Sequence, residues 1–115
     1  MKYSVVVSFS IEGFHCWPEA KEIFPEVGFL SDRHRHMFGF KCYAKVSHTD
    51  RDEEFILMQR RLKKQLRTNF DGNILEFGRM SCEEIGEWIL NNNPGYLYKV
   101  EVWEDWENGA IIERQ

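Results

Sequence analysis

The pattern of this chain predicts an α+β fold in which a four-stranded antiparallel sheet carries two helices on one face, in the order β-β-α-α-β-β. Three observations lead there. Apolar residues alternate with polar ones at period two near both ends of the sequence. Between those stretches the apolar spacing widens to nearly four, the mark of an amphipathic helix. The 115 residues hold no internal repeat, linker or low-complexity tract, so residues 1–115 are expected to form a single domain.

The first strand is written in Tyr3, Val5, Val7, Phe9 and Ile11, which alternate with Lys2, Ser4, Ser8 and Ser10. His15 is expected just beyond its end. A loop with Pro18 and Pro25 follows, and a second strand is predicted over residues 33–46. There His34, His36, Phe38, Phe40 and Cys42 share one face, and Arg35, Lys41, Tyr43 and Lys45 the other. Two strands with so little chain between them pair antiparallel most easily, which carries His15 towards the start of the second.

After the polar run from Ser47 to Asp52, which includes His48, the residues Phe55, Met58, Leu62 and Leu66 make the stripe of a first helix. Acidic residues stand at its start and basic ones toward its end, as the helix dipole favours. Residues 68–73 break it. A second helix opens at Ser81, where Ser81-Cys82-Glu83-Glu84 fits a capping box and Met80 can staple to Ile85, and it ends before Asn93-Pro94-Gly95. Tyr98, Val100 and Val102 then alternate with Lys99 and Glu101, and Asn108-Gly109 predicts a tight turn ahead of Ala110-Ile111-Ile112.

Composition removes several classes of function. A 43% hydrophobic, 15% aromatic chain can build a core and does not read as disordered. A net charge of −4 argues against charge-driven nucleic-acid binding, and Arg60, Arg61, Lys63, Lys64 and Arg67 read as the solvated face of the first helix. No stretch has the continuous apolar length of a membrane span, and the start lacks a secretory pattern, so the expected compartment is the cytoplasm. Cys16, Cys42 and Cys82 are odd in number and widely spaced, which suits reduced thiols.

Chemistry concentrates in the histidines. Residues i and i+2 of a strand point to one side, so His34 and His36 can grip one ion if a neighbouring strand supplies His15. Three ligands leave a fourth tetrahedral position open to water or substrate. The plain alternative is that these are surface or satisfied core histidines, for a His-x-His pair is common.

The residues also carry a resemblance. The order of elements, His15 after the first strand, His34-Arg35-His36 opening the second, Met80-Ser81-Cys82-Glu83-Glu84 at the second helix and Glu104-Asp105 before a terminal hairpin resemble the 6-pyruvoyltetrahydropterin synthase family, which includes 6-carboxytetrahydropterin synthase. The resemblance implies the tunnelling fold (T-fold) and a catalytic zinc, Zn2+, on His15, His34 and His36. It implies a pterin- or purine-like ligand anchored by Glu104, whose paired oxygens suit the N–H donors of an amino-pyrimidinone, with Ser81 and Glu83 as further contacts. Without the resemblance, Glu104 reads as an exposed strand residue and Glu83 as a helix-start carboxylate. It also implies a homo-oligomer, a trimer or a hexamer of stacked trimers, which agrees with the gain from joining open sheet edges.

The departures matter as much. The family's His-Gly-His has Arg35 in the middle. Its nucleophile-like cysteine falls on Leu30, which cannot transfer a proton. Its Asp-His pair is absent between the helices, where only Asp71-Gly72 stands. The catalytic residues are therefore left unknown, and Cys16 beside His15 is the weak substitute. Two readings stay open: a zinc-dependent lyase of the pterin synthase type, or a non-catalytic binding protein for a pterin-, purine- or nucleotide-like molecule. An assembly module with incidental histidines is the third and blandest.

Overall fold

A computed structural model describes residues 1–115. Strand β1, Tyr3–His15, is followed by a one-turn helix α1, Ala20–Ile23, and a 3₁₀ segment, Pro25–Ser31. Strand β2, His34–Val46, leads to helix α2, Phe55–Asn69; a short strand β3, Leu75–Glu76, precedes helix α3, Cys82–Asn91, and the hairpin of β4, Leu97–Glu104, and β5, Asn108–Glu113, closes the chain. The sheet has five strands in the order β3-β1-β2-β4-β5. No helix is long and apolar enough to cross a membrane.

The α+β class and the order of the long elements agree with the sequence; the count of strands does not. β3 is the addition, two residues that pair parallel with Gly13 and Phe14 of β1, so the sheet is mixed. Two residues cannot display an alternation, and Leu75 is fully buried, so nothing in the local pattern announces a strand. The chain reaches this edge by reversing at Asp71 and Gly72, both with positive φ.

Period-two patterning fixes the face that matters. Val7, Phe9 and Ile11 of β1 and Phe38, Phe40 and Cys42 of β2 are buried on the side covered by the helices, where Met58, Leu62 and Leu66 of α2 and Ile85 and Ile89 of α3 complete one hydrophobic cluster. Phe55, the first residue of the predicted stripe, is instead 57% exposed, because it sits in the opening turn of α2. The predicted capping box is present: Ser81 accepts from the Glu84 N–H and Glu84 reaches back to the Ser81 N–H.

The last turn differs in place. Asn108 and Gly109 already lie in β5, and the bend is Asp105 and Trp106, with φ of 53° and 57° and no glycine. Tertiary contacts hold this left-handed pair. The Asp105 N–H donates to the Met37 carbonyl at 2.9 Å, and the Trp106 Nε1–H reaches Ser10 Oγ at 2.9 Å. Trp106 lies on Gly39, where an added Cβ would stand 2.3 Å from the indole. Gly109 is small for a related reason: a Cβ there would meet the Val102 carbonyl at 2.5 Å.

Candidate metal centre and adjoining cavity

β1 and β2 pair in a register that sets His15 directly opposite His34 and Gly13 opposite His36. His15 is thus the last residue of β1 rather than a residue beyond it. Because His34 and His36 share a face and His15 stands across from one of them, the three imidazoles meet. Ring centroids are 4.6 Å apart for His15 and His34, 5.1 Å for His15 and His36, and 5.0 Å for His34 and His36. One nitrogen from each lies within 4.8 Å of the others.

Each outer nitrogen is spoken for. His15 Nδ1 is 2.9 Å from the Met80 carbonyl, His34 Nδ1 is 2.8 Å from the Asp32 carbonyl, and His36 Nδ1 is 2.8 Å from Asp105 Oδ2. A carbonyl or a carboxylate can only accept, so Nδ1 carries the proton in all three and the neutral ring presents its Nε2 lone pair. The Nε2 atoms of His15 and His36 are buried without a hydrogen-bond partner. Buried orphan acceptors are costly, and a bound cation is what satisfies them. The donor set therefore fits a divalent metal of imidazole preference.

Glu104, the last residue of β4, faces the same point. Its Oε2 is 3.1 Å from His15 Nε2 and its Oε1 is 3.5 Å from His36 Nε2. The His15 contact, opposed by burial and aided by His36 and the Cys82 thiol, holds the Glu104 carboxyl below its usual range. Burial pushes His15 down, but Glu104 and the Met80 carbonyl together outweigh it and leave the imidazole raised.

A cavity of about 440 Å³ opens beside this cluster, a volume suited to a small molecule. His15 and His34 form one wall; Ser81, Cys82 and Glu83, from the start of α3, form another; Glu104, Asn108 and Gly109 close it. Trp17 and Leu30 supply apolar surface. All three predicted ligand contacts, Glu104, Glu83 and Ser81, border the cavity, although the Ser81 oxygen also caps α3.

The proposed substitutes for the missing proton-transfer groups separate cleanly. Leu30 lines the cavity, so that position brings no thiol. Asp71 is in an exposed turn and does not border the cavity. Cys42 is buried in the core, and burial pushes its thiol to about 12; burial first, then Glu104, does the same to Cys82. Cys16 is partly exposed and lines the cavity. His48 stays in the polar turn, 3.5 Å from Asp52, away from the triad.

Asp105 is the residue whose role the sequence reading did not assign. It stands next to Glu104 and orients His36, yet adjacency was its only signal.

The class these features define is a protein with the T-fold of the 6-pyruvoyl tetrahydropterin synthases. The structure is similar to that of 6-pyruvoyl tetrahydropterin synthase from Caenorhabditis elegans, with a TM-score of 0.67, 17% identity, and coverage of 100% of this chain and 97% of that one. It is similar to the Plasmodium falciparum 6-pyruvoyl tetrahydropterin synthase, with a TM-score of 0.62 and 15% identity over 98% of each chain. An uncharacterized protein from Wolinella succinogenes matches with a TM-score of 0.69 and 11% identity over 100% of this chain and 99% of that one. No protein-family model and no curated protein sequence matches the chain.

Proposed function

We propose that this protein holds zinc on His15, His34 and His36 and captures a flat pterin- or purine-like molecule in the adjoining cavity. The observation that carries the reading is the convergence of the three imidazoles on one point, with Nδ1 anchored outward in each and two buried Nε2 atoms left without partners. Zinc bound there supplies a Lewis acid for a substrate oxygen.

The chain's own residues give the pocket its selectivity. Glu104 offers two acceptor oxygens to paired N–H donors, Ser81 and Glu83 border the opposite wall, and Trp17 adds an aromatic surface for a planar ring. Leu30 at the nucleophile position and the lack of an Asp-His pair favour capture over the ordinary synthase reaction. A lyase of the pterin synthase type is the second reading, favoured by one observation: Cys16 lines the cavity next to His15. Assembly belongs to the proposal too. β1 meets β3 over only two residues and β5 has no outer neighbour, so open edges are available for a homo-oligomer, a trimer or hexamer.

Incubation with dihydroneopterin triphosphate or 6-pyruvoyltetrahydropterin tests the reading by calorimetry and product analysis. Binding without product supports capture, product supports the lyase, and neither refutes both. A monomer in light scattering at micromolar concentration contradicts the assembly.

A further inference from the structure

We infer that Glu104 is a fourth, displaceable ligand of the cation held by His15, His34 and His36, so that the site without its small molecule is closed rather than open. The inference rests on the metal reading above and assigns the carboxylate a place in the coordination shell. Tetrahedral zinc with bonds of about 2.0–2.1 Å sets neighbouring donor atoms about 3.3 Å apart. Glu104 Oε2 stands 3.1 Å from His15 Nε2 and Oε1 stands 3.5 Å from His36 Nε2, each close to the edge length of such a tetrahedron. Both nitrogens are buried in apposition to the carboxylate and are left without a partner of good hydrogen-bond geometry. Spacing without alignment is what donors aimed at a shared centre display.

The surroundings agree. The Cys82 thiol donates to Glu104 Oε2 at 3.6 Å and steadies the carboxylate. Asp105, the next residue, is tied to His36 Nδ1 and to the Met37 N–H, so the backbone that presents Glu104 is anchored to the backbone that presents a ligand. A planar N–H donor arriving in the cavity would compete with the cation for the same carboxylate. Capture of the small molecule would then draw Glu104 off the cation and expose a coordination position only when the pocket is filled.

Cobalt(II) loading of the stripped protein tests this. In the unaltered protein the visible d–d bands should be those of a tetrahedral four-ligand site, and added azide should leave them unchanged. Glu104→Gln and Glu104→Ala should shift the bands, respond to azide, and weaken cobalt binding by about 10- to 100-fold. Acetate should return the Glu104→Ala spectrum towards the original. Unchanged bands and affinity in both variants, with cobalt lost in His34→Ala, would overturn the fourth ligand and leave the triad standing. Azide binding to cobalt in the unaltered protein would overturn it without recourse to any variant. No cobalt uptake by the unaltered protein would overturn the triad and this inference together.

Discussion

Asp105 and His36 form the junction on which the candidate centre turns. Asp105 Oδ2 lies 2.8 Å from His36 Nδ1, and Oδ1 accepts the Met37 N–H at 2.9 Å. The His36 contact first, then the Met37 N–H, holds the Asp105 carboxyl below its usual range. A carboxylate behind an imidazole fixes its tautomer and rotation, which is how outer partners strengthen a metal site. Asp105→Ala should weaken zinc binding by about 10- to 100-fold. Competition with a chromophoric chelator measures it; an affinity unchanged within error would show that His36 is held by β2 alone.

Loss of any one imidazole should do more. Protein purified with zinc in the medium is expected to carry equimolar metal by elemental analysis, and His15→Ala, His34→Ala or His36→Ala should each lose most of it. Zinc at about a hundred times its Kd adds about 2.7 kcal/mol of stability, so a chelator should lower the melting temperature of the unaltered protein and leave the variants unmoved. A triple set of variants that retain full metal would refute the site.

Thiol reactivity separates the three cysteines. Iodoacetamide at pH 8 should label Cys16, which is partly exposed, well before Cys42 or Cys82, whose burial pushes both thiols to about 12. Peptide mass spectrometry reads the order. Cys16→Ser then decides the lyase reading: turnover that survives the substitution excludes Cys16 as the proton-transfer group.

On the opposite face of the sheet, Glu101 is buried yet accepts from Tyr43 Oη at 2.5 Å and from Trp103 Nε1 at 2.9 Å. Burial pushes its carboxyl up, but these two donors with Lys41 and Lys99 outweigh burial and leave it lowered. A lowered folded-state pKa gives stability that is present above the unfolded value of about 4.3 and lost as pH falls through the folded one. Tyr43, pushed to about 12 chiefly by Glu101, gives stability that is lost as pH rises from about 10 towards 12. Urea midpoints at pH 7 and pH 3 should therefore differ less in Glu101→Gln than in the unaltered protein. Equal acid sensitivity would show that the pair contributes nothing.

Much of the candidate centre was legible because strand physics is local and rigid. Alternation in β1 and β2 put His34 and His36 on the core face, and a short connection implied the antiparallel register that brings in His15. Ser81 and Glu84 announced their helix start through a reciprocal hydrogen-bond pattern written in four residues. What stayed hidden depends on contacts between distant segments. β3 exists because Leu75 finds a buried place beside Gly13, and the one-turn helix and 3₁₀ segment after β1 are too short for a periodic pattern. Asn108-Gly109 carries the usual hairpin signal, yet Asp105 and Trp106 take the bend because Met37, Ser10 and Gly39 receive them.

Gly39→Ala tests that displacement. Its new methyl would collide with the Trp106 ring, an overpacking that costs about 1–3 kcal/mol. Thermal unfolding should register the loss, and adding Trp106→Ala should recover part of it, a coupling that independent sites would not give. Strict additivity would mean that the indole does not rest on Gly39.

The bend also joins two territories. Trp106 rests on the outer surface with Ser10 and Gly39, whereas Glu104, two residues earlier, looks into the chamber on the inner surface. Asp105 alone separates the indole from the carboxylate, so two residues of one bend face opposite sides of the sheet.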